Sequence, residues 1–164
     1  MLLDVVSRNG NLMLNFPLPN SGMLDQQEVQ ILEEITEWMQ VNGEAIYATR
    51  PWKISGAAPP ELKKIGSETN FNEKSRKELT ADDVRFTTKG NVLYAFVMGV
   101  PQENAVVASL ASNGKQNVRK ISRVELLGFP GKLEWAQDNA GLHVKRPQKK
   151  PCKHALAFKV QGAL

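Results

Sequence analysis

Residues 11–16, NLMLNF, form a nearly continuous apolar run with turn formers on both sides, and they restrict the fold more than any other stretch of the chain. Asn9-Gly10 precedes the run, and Pro17, Pro19, Asn20, Ser21 and Gly22 follow it. A strand that is apolar on both faces belongs in a parallel sheet covered by helices, because only there are both faces dry. Helical patterns flank it as that reading requires. Residues 2–8 look like the end of an amphipathic helix closed by Asn9-Gly10, a pair suited to a left-handed cap. Asp25-x-x-Glu28 has the spacing of a capping box, so a second helix is predicted over 25–42. Val29, Ile31, Leu32, Ile35, Trp38 and Met39 follow the helical period, while Glu33, Glu34 and Glu37 are expected on a solvated face. The helix is expected to end at Asn42-Gly43, where both residues tolerate positive φ. Helix, strand, helix is one repeat of an α/β protein, and one repeat does not close a fold. Left without neighbours, the run exposes apolar surface and predicts aggregation or association with another polypeptide.

After Ala45 the pattern changes to short alternating segments. Residues 45–54 read as an extended lead-in, with Pro51 arguing for an edge or a bend. Residues 56–83 are polar and contain Pro59-Pro60, which reads as a long surface loop. Residues 84–88 and 92–98, separated by Lys89-Gly90-Asn91, predict a hairpin in which glycine supplies the turn. Further strands are expected at 105–110, 121–127, 133–136, 142–145 and 155–160, the last as a half-buried strand, with a turn at Asp138-Asn139-Ala140-Gly141. Many short strands with regular turn signals indicate an antiparallel β-sandwich, so the chain divides into an α/β part, residues 1–45, and a sandwich, residues 46–164.

Charge and composition narrow the function. Residues 1–60 hold three Lys/Arg and seven Asp/Glu, and residues 61–164 hold eighteen and ten, so the two parts carry −4 and +8. The positive residues are scattered singly or in pairs, which fits a solvated basic surface and not a nucleic-acid interface. No window approaches the roughly 18–20 uninterrupted apolar residues of a membrane-spanning helix, and MLLDVVSRNG carries an acid and no basic start, so neither a membrane span nor a signal peptide is read. The single cysteine, Cys152, excludes an internal disulfide. Cys152 and His154 form a Cys-x-His pair, but two ligands do not close a zinc site, so Cys152 is read as a structural thiol and no metal or other cofactor is expected.

Three stretches carry a family resemblance: VVSRNGNLMLNFPLPNSG at 5–22, EWMQVNGEAIYATRPWK at 37–53 and RFTTKGNVLYAFVMG at 85–99. In sequence, order and separation they resemble α-L-fucosidases of glycoside hydrolase family 29. The resemblance covers most of the chain and is weakest in the polar loop. It implies a mixed fold: the last strand (11–16) and closing helix (25–42) of a (β/α)₈ catalytic barrel, followed by the antiparallel β-sandwich. It implies removal of terminal α-L-fucose from glycoconjugates with retention, by an Asp nucleophile and an acid/base carboxylate, without a metal. Both carboxylates lie upstream of the first motif in that family, so no catalytic residue is expected here, and the chain alone is expected to be inactive. The implied partners are a fucosylated glycan, bound by the complete enzyme, and the missing N-terminal barrel portion. The complete enzyme is expected to be periplasmic or secreted.

The residues can be weighed against that chemistry. Retaining hydrolysis needs two carboxyl groups about 5 Å apart, one with a raised pKa, and no such pair is legible. Asp4 reads as a structural cap or surface residue, and His143 and His154 as surface or packing residues. In barrels of this kind substrate meets the C-terminal ends of the strands, which makes Asn15 and Phe16 the candidate substrate-binding residues. Asn15 bonds a sugar hydroxyl, holds a neighbouring site loop in place or satisfies loop backbone, and Phe16 either borders the pocket or packs beneath the loop. Trp38 and Trp135 read as core, and Trp52 as packing at the barrel–sandwich junction. The competing function is a non-catalytic β-sandwich acting as a structural or carbohydrate-binding module, and the 7% aromatic content counts against sugar stacking.

Overall fold

Alternation along the hairpin at 84–97 sends side chains to two dry faces. In the computed structural model, which describes residues 1–57, 79–147, 149 and 151–164, two α-helices precede eight strands. The helices are α1 (Leu2–Ser7) and α2 (Gln26–Asn42). The strands are β1 (Arg50–Ala57), β2 (Val84–Lys89), β3 (Val92–Val97), β4 (Ala105–Val107), β5 (Arg123–Leu126), β6 (Trp135–Gln137), β7 (Leu142–Val144) and β8 (Leu156–Gln161). One antiparallel sheet has the order β1-β2-β3-β8-β5 and the other β4-β7-β6. The β2–β3 hairpin turns on Gly90-Asn91, with Gly90 at φ 56, the left-handed value that the first position of such a turn demands.

On one face of the larger sheet, Phe86, Leu93, Val97, Phe158 and Val160 share an apolar core with Val107, Leu142 and Val144 of the smaller sheet. On the other face, Tyr94, Phe96 and Ala157 pack against Leu3 of α1, Trp38 of α2 and Ala45 in the 3₁₀ turn Gly43–Ala45. Each fully buried phenylalanine contributes about 1.5–3 kcal/mol. β3 and β8 are therefore covered on both faces, and β8 is not the half-buried strand that its alternation suggested. Its intervening small residue, Ala157, lies under the helices and not in solvent.

The capping box is present: Glu28 N–H donates to Asp25 Oδ1 at 2.8 Å, and Asp25 N–H donates to Glu28 Oε2 at 3.2 Å. Asn9 is left-handed at φ 65, and Gly10 N–H closes α1 on Val5 O at 2.9 Å. α2 ends at Asn42 as expected, but without a left-handed cap: Gly43 keeps right-handed angles and the chain passes directly into the 3₁₀ turn. The strand expected at 105–110 stops at Val107 and becomes a 3₁₀ turn, Ala108–Leu110. The expected lead-in at 45–54 resolves into that first turn and β1, which runs to Ala57, and Thr80–Asp83 form a turn held by Asp83 Oδ2. The rest of the expected polar loop, 58–78, lies outside the described residues.

The largest correction concerns residues 11–16, which form neither helix nor strand. A strand of this type is held by ladders to parallel neighbours on each side, and among the described residues every paired strand is antiparallel and lies after residue 49. Without a ladder the apolar run stays irregular, and Met13 is 93% exposed. Trp52 also differs from expectation. It sits in the core between the two sheets, edge-on to Phe86 at 4.9 Å, and not at the helix junction.

Candidate functional site

The two sequence-predicted substrate residues lie on the irregular segment between α1 and α2. Asn15 is exposed and Phe16 is half-buried, and neither enters the two apolar cores. Their surroundings are unusual for a surface. Ten large apolar side chains are exposed among the described residues, and seven of them fall between Met13 and Leu32: Met13, Leu14, Leu18, Met23, Val29, Ile31 and Leu32. Scattered apolar residues are ordinary on a surface, and seven within twenty residues is a concentration beyond that scatter. The reason is visible along α2. Its later turns pack on the sheet through Trp38, whereas Ile31, earlier in the helix, is 51% exposed.

Among the described residues three carboxyl groups have displaced pKa values, all downward. Burial pushes Asp4 up, but hydrogen bonding and charge from Arg85, with help from Arg8, outweigh it. Asp4 is thus an ion-pair partner, not a cap. Hydrogen bonds from Gln30 and then His154 hold Glu34 low, with Lys153 adding charge. His154 Nε2 stands 3.0 Å from Glu34 Oε2, so Glu34 faces the segment leading into β8, unlike Glu33 and Glu37, which are exposed as expected. The backbone N–H of Ala140 and then His143 hold Asp138 low in its turn. A general acid for glycoside hydrolysis is held protonated by its surroundings, and these three carboxylates are arranged to stay ionised.

Cys152 and His154 diverge. The Cys152 thiol meets Ala155 O at 3.3 Å and is pushed up by burial, while His154 turns to Glu34. Among the described residues no three His, Cys, Asp or Glu side chains are grouped to hold a metal ion. The exposed faces of His143 and His154 agree with a surface role. Trp38 is buried as expected, and Trp135 is only partly buried against the inter-sheet core.

The junction between helices and sheet contains polar contacts that the sequence did not single out. Lys159 Nζ pairs with Glu44 Oε1 at 2.9 Å, Tyr94 Oη donates to the same oxygen at 3.4 Å, and Thr87 Oγ1 donates to Ala45 O at 2.8 Å. Burial and then Glu44 push the Tyr94 phenol up, and the Glu44 hydrogen bond raises Lys159. The one available signal was a polar residue at alternate positions of apolar strands: Arg85 and Thr87 in β2, Lys159 in β8.

Comparisons with known proteins bear on the whole chain. Residues 1–44 match the family model described as Alpha-L-fucosidase, and residues 76–161 match the one described as Alpha-L-fucosidase C-terminal domain. Tissue α-L-fucosidase of Homo sapiens is 30% identical over 92% of this chain and 27% of the relative, and that of Mus musculus 32% identical over 92% and 28%. The crystal structure of Thermotoga maritima α-fucosidase superposes with a TM-score of 0.66 at 24% identity, covering 96% of this chain and 32% of the other. The chain thus spans less than a third of the length of these proteins.

Proposed function

The chain belongs to the α-L-fucosidase family, and from that premise we propose that it is the C-terminal portion of a retaining α-L-fucosidase that removes terminal α-L-fucose from glycoconjugates. In this reading residues 1–45 are the end of a (β/α)₈ barrel and residues 46–164 a β-sandwich packed against it. The observation that carries the proposal is the concentration of exposed apolar side chains between Met13 and Leu32, within the segment that matches the α-L-fucosidase model. That surface fits the remainder of a barrel, whose strands would give residues 11–16 the parallel ladder they lack here.

The division of labour follows. Retaining hydrolysis uses two carboxyl groups about 5 Å apart across the sugar, and in this reading both come from the remainder of the barrel. Asn15 and Phe16, at the C-terminal end of the restored strand, would border the sugar. The sheets hold the closing helix through Trp38, and the 3₁₀ turn that follows it through Glu44. The substrate is a fucosylated glycan, and the complete enzyme works in the periplasm or outside the cell.

The test is hydrolysis of 4-nitrophenyl α-L-fucoside by the chain alone and mixed with the separately expressed N-terminal barrel portion of a family relative. Activity only in the mixture supports the proposal. Activity of the chain alone would place a catalytic pair inside it and overturn this assignment, and silence in both favours the non-catalytic structural or carbohydrate-binding module.

A further inference from the structure

Arg85 lies on the helix-covered face of the larger sheet, where its register partner across the strands is Phe96. It is 8% exposed. A guanidinium there gives up hydration that an apolar side chain of similar volume would not, so strength alone does not explain its presence. Direction does. Arg85 Nε donates to Asp4 Oδ1 at 2.6 Å and its Nη1 donates to Val84 O at 3.0 Å, which holds the planar fork at both a carboxylate and a backbone carbonyl.

The strand beside it is shaped to receive the fork. β1 breaks its regular pairing with β2 between Pro51 and Gly56. A Cβ at Gly56 would stand 2.5 Å from Val84 O and 2.7 Å from Arg85 Cδ, so glycine and the irregular pairing make the room that the arginine occupies.

α1 needs a directional contact of this kind. Its six residues are too few to hold helical shape alone. Buried Leu3 supplies an apolar anchor, and apolar burial does not fix orientation. Arg8 also reaches Asp4, at 3.4 Å, but from the exposed side of the same helix, so it cannot tie α1 to the sheet.

We propose that Arg85 is the positioning residue that orients α1 on the sheet and, through the left-handed turn at Asn9, sets the path by which residues 11–16 leave it. The destination of that path, a barrel, rests on the fucosidase reading; the orienting role does not.

Amide hydrogen exchange on the full chain tests this. The N–H groups of Val5, Arg8, Asn9 and Gly10 are bonded within α1 and its cap. Arg85→Met is expected to speed their exchange by about tenfold or more, while amides of Phe96 and Ala157 in β3 and β8 change by less than about twofold. Arg85→Lys is expected to behave like Arg85→Met, because an ammonium has no fork. Asp4→Asn leaves every sheet residue in place and carries the same expectation should an Arg85 variant not fold. Unchanged exchange in α1, full rescue by lysine, or an equal rise in β3 and β8 overturns the proposal. In the mixture with the barrel portion, Arg85→Met is expected to raise the concentration of chain needed for half-maximal hydrolysis and to leave the saturated rate unchanged. If the native mixture is silent, the fucosidase reading fails, and the exchange result still decides the role of Arg85.

Discussion

The indole N–H of Trp38 donates to the carbonyl of Ala155 at 2.9 Å, joining α2 to the start of β8 across 117 residues of chain. The ring also stands 6.4 Å from Phe96, so one side chain supplies both area and direction at the junction. Trp38→Phe keeps most of the area and leaves Ala155 O, among the described residues, with the weak Cys152 thiol as its side-chain donor. A loss of about 1–2 kcal/mol is expected for phenylalanine, and about 3–5 kcal/mol for Trp38→Ala. Urea unfolding checks this, and the midpoint should fall at constant slope.

Asp4 predicts a pH dependence with a definite sign. Burial raises its pKa, Arg85 and Arg8 lower it further, and the net displacement is below the ordinary 3.8. A depressed carboxyl stabilises the folded state fully above its unfolded pKa, and the contribution is lost as pH falls through the folded value. The stability difference between the native chain and Asp4→Asn should therefore be constant from neutral pH down to about 5 and shrink toward pH 2. A difference that grew on acidification would contradict the pairing with Arg85.

The apolar surface between Met13 and Leu32 predicts self-association of the isolated chain. Replacing Val29, Ile31 and Leu32 together by serine should lower the apparent mass in sedimentation and reduce binding of a hydrophobic dye. The melting of the sheets should persist, since none of the three side chains enters either core. A native chain that is already monodisperse and binds no more dye than the variant would remove the surface as evidence for a partner.

Cys152 reports on the same junction. It lies half-buried in the lead-in to β8, and burial pushes its thiol up. Only the thiolate reacts readily, so modification by a disulfide reagent at pH 8 should be much slower than for a free thiol. Urea should restore the ordinary rate, and Trp38→Phe should accelerate the reaction if the junction opens as one unit. Fast modification of the folded native chain would place Cys152 outside the packed junction.

Local chemistry was legible in the sequence wherever the deciding partners are a few residues apart. Asp25 and Glu28 announced the start of α2, Gly90-Asn91 the hairpin, and Asp138 a turn in which its carboxylate accepts from Ala140 and Gly141. The motifs at 5–22, 37–53 and 85–99 also carried the family, because they hold residue identities and not merely a pattern of polarity. Asn15 and Phe16 could be named only from where a barrel strand would end, and the structure leaves them on an irregular, partly exposed segment.

Alternation alone could not say how many faces of a strand are dry. β8 reads as half-buried because alanine is compatible with either solvent or a covering helix, and the packing of α1 and α2 decided for the helix. The run at 11–16 shows the opposite case, in which a sequence that reads as a buried strand is unpaired, since among the described residues every ladder lies after residue 49. Arg85 finds Asp4 across 81 residues, and Trp38 finds Ala155 across 117. The sequence by itself determined caps, turns and periodicity, since these close within one turn of chain. Only the tertiary structure decided pairing and burial, because hydrogen-bond partners and water exclusion depend on segments whose approach no local pattern specifies.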